Sequence, residues 1–172
     1  MNEDAPKGSS DWFAKLRKDM DASGRYLVFE VLIDAHLIIS CQTGGVPTDR
    51  EWDNWLTATS NLMHQFGRCR LLVMSGQGHP TGAQVERLRQ TGKRLRASGY
   101  GYPPTAIVTA SSALRVFVNA LMCINPSIRC YSPANHRGAF DHLSLLRAER
   151  DKAVLVIDRL HCQLEVAGQS PL

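Results

Sequence analysis

The stretch Met74 to Leu88, MSGQGHPTGAQVERL, gathers the residue types in this chain best suited to chemistry. An apolar run ends at Ser75, Gly76 and Gly78 follow, and a helical pattern opens at Thr81 and Gly82. Glycine lets a backbone approach a bound group closely. A helix start offers unpaired N–H donors and the positive end of the dipole. Together they can hold a phosphate or another anion, and Ser75 and Thr81 carry hydroxyls open to phosphorylation. The two common nucleotide motifs are not met: the glycines read G-x-G-x-x-x-G with a proline inside, and Gly82 is followed by Ala83 rather than a lysine. A plainer reading is internal to the chain. Pro47-Thr48-Asp49-Arg50-Glu51 and Pro80-Thr81-Gly82-Ala83-Gln84 are both P-T-x-x-[E/Q], the pattern in which threonine caps a helix and the residue three later reaches back.

Two further places carry charge that can act on a partner. In VERLRQTGKRLRAS, Arg89, Lys93 and Arg96 share one side of a helix, while Val85, Leu88 and Leu95 share another. That basic side is either a solvated face or a docking surface for an acidic protein, an anionic lipid or nucleic acid. Arg115 falls in the first turn of a helix behind Ser111-Ser112, where a cation opposes the dipole. It is either exposed or aimed at an anion beside the Gly76–Gly82 loop. The six histidines form no H-E-x-x-H or H-x-H motif, and no serine sits in G-x-S-x-G. No catalytic residue, no metal ligand and no cofactor is therefore expected, and the chain reads as a non-enzyme.

The elements that must position these residues follow from periodicity. YLVFEVLID and HLIISCQTG read as a hairpin, Tyr26–Ile33 with His36–Gln42, turning at Asp34-Ala35. PTDREWDNWLTATSNLMHQFG is a helix whose Trp52, Trp55, Leu56, Leu62 and Phe66 recur at helical spacing before Gly67. RCRLLVMSG, TAIVTAS and IRCYSP are three more strands, with the helices GAQVERLRQTGKRLRA and SALRVFVNALMCI between them. ANHRGAFDHLSLL and DKAVLVIDRLHCQLEV close the chain as helices, although AVLVI alone also reads as a strand. One hairpin followed by βα units implies an α/β fold: a mixed sheet of about five strands, parallel through its later members and covered by helices.

The chain of 172 residues is expected to divide into a disordered tail over 1–10, an accessory helix over 11–24 with the stripe Trp12, Phe13, Leu16 and Met20, an α/β domain over 25–148, and a C-terminal helix and tail over 149–172. A net charge of +4 permits an acidic partner without requiring one, and nucleic acid is not expected. The five cysteines lack C-x-x-C spacing and read as reduced thiols. The first ten residues hold no apolar signal region, and no apolar run approaches the roughly 20 residues that span a bilayer. The expected location is the cytoplasm.

The element order resembles that of the STAS domain, the fold of the anti-sigma-factor antagonist SpoIIAA, and more specifically the SpoIIAA-like proteins grouped with the lipid-handling SEC14 domain. The hairpin strands, LLVMSGQGHPTGAQ and AIVTASSALRVFVNAL carry the resemblance between Tyr26 and about Leu146. In STAS antagonists a D-S-S-G-type loop follows the third strand, and its serine is phosphorylated. Here the matching place reads HPTG, with Thr81-Gly82 for Ser-Gly and no aspartate. The resemblance implies a bacterial-type, non-enzymatic signalling or protein-interaction module regulated at that loop, with Ser75, Gly76, Gly78, Thr81 and Gly82 as its contact residues. A protein partner is expected, and self-association is allowed. The alternative is a binder of a small anionic ligand, a nucleotide or lipid headgroup, using the same loop and Arg115.

Overall fold

The computed structural model describes residues 26–122 and 125–166. The tail and helix expected over 1–24 lie outside them. The described chain runs β1 (Leu27–Leu32), β2 (Leu37–Gln42), α1 (Asp49–Phe66), β3 (Arg70–Ser75), α2 (Gly82–Ala97), β4 (Thr105–Val108), α3 (Ser112–Met122), β5 (Ile128–Tyr131), a 3-10 turn (Pro133–Asn135), α4 (His136–His142) and α5 (Arg147–Val166). The five strands lie side by side in chain order. β1 is antiparallel to β2, and every later pair is parallel, as the hairpin and βα alternation require.

The strand sequences explain their places. All six residues of β2 are buried, as a strand covered on both faces demands. Alternation along the strands then divides the core in two. Leu27, Phe29 and Val31 of β1, Ile38 of β2 and Leu71 of β3 meet Trp52, Trp55, Leu56 and Leu62 of α1 and Leu95 of α2 on one face. Val28, Leu37, Ile39, Cys41, Leu72, Met74, Ala106 and Val108 meet Phe140 of α4 and Ala153, Val156, Leu160 and Leu164 of α5 on the other.

Three details add to the pattern in the sequence. The hairpin connection is wider than Asp34-Ala35: pairing stops at Leu32↔Leu37, and His36 takes φ 48 in the left-handed region. With no Asn-Gly available, the turn uses His36 where glycine would ordinarily stand. The AVLVI segment is helical throughout, because Ala153 and Val156 begin a buried stripe that continues at four-residue steps to Leu160 and Leu164, while Val154 and Leu155 face outwards. That stripe lies in the same core as the sheet, so the core runs past residue 148 into the C-terminal helix.

One side chain fastens the end of the sheet opposite the glycine loop. Arg70, at the start of β3, donates to Ala35 O in the hairpin turn, to Leu143 O and Ser144 O (both 3.2 Å), and to both carboxylate oxygens of Glu149 on α5. The arginine holds the Glu149 carboxyl below the usual carboxylate range.

Candidate functional site

The loop between β3 and α2 is built from its backbone outwards. Gly76 N–H donates to Gln42 O at 2.8 Å, and Gly78 N–H donates to Thr43 O at 3.3 Å. Both glycines are buried. A Cβ on Gly78 would collide with Gly45 O and stand 2.7 Å from Thr43 O, and one on Gly76 would stand 3.0 Å from the Thr43 carbonyl carbon. The glycines therefore let this loop lie directly on the loop after β2, backbone on backbone. The N–H groups of both glycines are thereby spent on the carbonyls of Gln42 and Thr43. Gly82 differs, since a Cβ there would meet nothing.

Thr81 is the N-cap of α2. Its hydroxyl accepts from Gln84 N–H at 3.2 Å, and Gln84 Oε1 accepts from Thr81 N–H at 3.0 Å. Thr48 and Glu51 make the same reciprocal pair on α1. The two caps are joined to each other, which the sequence motif alone does not reveal. Gln84, 1% exposed, donates through Nε2 to Pro47 O at 2.7 Å and to Asp49 Oδ1 at 3.2 Å. Trp52 Nε1 donates to Gln84 O at 2.9 Å, and Arg87 pairs with Asp49 and Asp53. Glu51 reaches further, accepting from Tyr26 N–H at 3.0 Å. The first turns of α1 and α2 are thus one cross-linked unit. The matching P-T-x-x-[E/Q] words were the signal in the sequence; Arg87 gave none.

Under the loops runs a polar belt. Ser75, 2% exposed, donates to Gln42 Oε1 at 3.4 Å, and Thr109 donates to Gly76 O at 3.4 Å. Ser75 is therefore an interior hydroxyl, while Gln77, His79, Thr81, Gly82 and Ala83 are exposed at the surface. Gln42 Nε2 is buried with no hydrogen-bond partner.

The remaining candidates lie elsewhere. Ser111 caps α3 by accepting from Leu114 N–H at 3.2 Å. Arg115 follows in the first turn of α3 and is partly exposed; the Cys130 thiol on β5 is raised by burial, which the Arg115 charge offsets only in small part. On α2, Arg89 is held by Glu86, whose carboxyl it lowers to about 2. Arg96 stacks over Tyr102 with its guanidinium carbon 4.7 Å from the ring centroid. Lys93 is exposed. The structure brings Gly76, Gly78, Thr81 and Gly82 together with the buried Ser75, and Thr109 and Ser111 link the start of α3, the helix that carries Arg115, to Gly76 O.

No protein-family model matches the chain, and neither the curated proteins nor the solved structures give a match. No helix among the described residues is long and apolar enough to cross a membrane.

Proposed function

We propose that the chain is a non-enzymatic protein-interaction module, STAS-like in element order, that engages a partner through the exposed residues of the Gln77–Gly82 loop, Gln77, His79, Thr81 and Gly82. The reading rests on one observation: Gly76 and Gly78 seat the loop on the β2–α1 loop, so its tip is held rigidly outwards with no internal cradle behind it. A rigid, exposed, polar tip on a doubly capped helix pair suits recognition of another surface. The strand order supports it further. Small molecules in open α/β sheets bind where strand order reverses, and the order here runs β1 to β5 without reversal.

The resemblance to STAS antagonists suggests regulation by a charge at Thr81, the exposed hydroxyl in the loop. Thr81→Glu places a carboxylate at a helix N-terminus, where the dipole tolerates it. We expect that variant to stay folded by circular dichroism and to lose the partner in a pull-down from lysate of the source organism. Thr81→Ala removes the cap, costs about 1 kcal/mol of stability, and retains the partner. Equal recovery by Thr81→Glu and wild type would refute the reading.

A second reading, a small anionic ligand, draws on the unpartnered amide of Gln42 beneath the loop. A thermal-shift screen against nucleotides and lipid headgroups tests it. A ligand present at 100 times its Kd would stabilise the fold by about 2.7 kcal/mol.

A further inference from the structure

The charges of this chain are divided by position. Arg87 to Phe140, 54 residues, hold eight Arg and Lys and no Asp or Glu. The rest of the described chain, residues 26–86 and 141–166, holds seven cations and eleven acids. The strands lie side by side in chain order, so a division in sequence is also a division in space. The acid-free stretch builds most of α2, then β4, α3 and β5. Most of the acids sit on β1, the hairpin turn, α1 and α5, and α5 packs on β1 and β2. A mild net charge of +4 therefore conceals a β5 half at +8.

The positive half also carries a bare apolar helix face. On α3, Val118 is 1% exposed, while Val116 and Phe117 are 71% and 42% exposed. Ala113, exposed as well, precedes them by three and four residues, so the three share one side of the helix. Arg115 is the only charged residue on α3. A helix that is apolar on two sides calls for cover on both, and here the inner side alone is covered.

The cations of α2 lie on the same side of the sheet. β3–α2–β4 and β4–α3–β5 step across it in one direction, so right-handed crossovers set α2 and α3 on one face. Arg87 is taken up by Asp49 and Asp53, and Arg89 by Glu86. Lys93 and Arg94 are exposed and enter no ion pair among the described residues.

We propose that this face of the β5 half is a peripheral docking surface for an anionic membrane, separate from the Gln77–Gly82 loop. Val116 and Phe117 enter the boundary between headgroups and acyl chains. Lys93, Arg94 and Arg115 lie in the negative potential of the anionic leaflet. Two observations favour a membrane over other anionic partners. Val116 stands out from its helix, which suits a fluid phase that closes around it, whereas a protein hot spot seats a side chain in a pocket. A nucleic acid would use the cations and leave Val116 against phosphate.

The test is co-sedimentation of the full chain with vesicles of phosphatidylcholine alone and of phosphatidylcholine with about 30% phosphatidylserine. Binding to the anionic vesicles should exceed binding to the neutral ones about tenfold or more, and should fall as salt rises to about 0.5 M. With each variant folded by circular dichroism, Lys93→Ala and Arg94→Ala should each weaken binding about fivefold. Val116→Ser should weaken it by about as much, through the apolar area it no longer buries. Lys152→Ala removes an exposed cation from α5, in the other half, and changes the net charge equally; it should leave binding within about twofold. Binding to neither vesicle, equal binding to both, unchanged affinity in Val116→Ser, or a loss in Lys152→Ala equal to that in Lys93→Ala would overturn the proposal, as would tighter binding to a DNA duplex at the same salt that Val116→Ser leaves unaffected.

Discussion

Gly78 and Gln84 are the residues whose roles change most between sequence and structure. A glycine-rich turn before a helix invites a ligand reading, yet Gly78 is needed because another backbone occupies the place of its side chain. Gly78→Ala must push the two loops apart, and the expected cost is about 1–3 kcal/mol, read as a fall in the urea midpoint. A loss under about 0.5 kcal/mol would mean that the loops separate freely and that the tip is not rigidly seated. Gln84→Ala strips a buried amide from Pro47 O and from Thr81 N–H; about 1–3 kcal/mol is expected for those orphaned groups, and an unchanged midpoint would contradict the cross-linked caps. At this scale the caps were legible, because a short word fixes a local hydrogen bond. Gly78 and Arg87 were not, because each depends on which loop or helix the fold brings alongside.

At the scale of elements, α1 and the Arg70 cluster set the terms. Leu62, fully buried against the sheet, is expected to cost about 2–5 kcal/mol on replacement by alanine, and denaturant unfolding checks it. Glu149 titrates in the folded chain below its ordinary range because Arg70 bonds its carboxylate. Its contribution is therefore present above about pH 4.5 and is lost as pH falls through the depressed folded value. Thermal melts should show wild type losing its advantage over Glu149→Gln on acidification below that range; a gap between the two that stays constant with pH would place the carboxylate outside the ion pair. The strands and helices themselves were readable from period-two and period-3.6 patterns. The ambiguity at AVLVI was real, since five apolar residues fit either element, and only the longer stripe through Leu160 and Leu164 decides for a helix.

At the scale of the molecule, one sheet is shared by two cores that face away from each other. Leu62 in one and Leu160 in the other are expected to act on a single cooperative transition. The double alanine variant should lose the sum of the single losses to within about 0.5 kcal/mol, whereas two separable transitions would show that the cores unfold independently. The antiparallel first pair and the parallel later pairs followed from the hairpin and βα alternation, while the side-by-side order of the strands was not legible, because periodicity reports which face of an element is apolar and not which neighbour it takes. The central claim, that the tip Gln77–Gly82 is a contact surface for a protein partner, is tested most directly by amide hydrogen exchange of the chain with and without the partner captured in the pull-down. We expect exchange to slow at Gln77, His79, Thr81 and Gly82 on binding. Exchange unchanged across those amides in the bound state would contradict it.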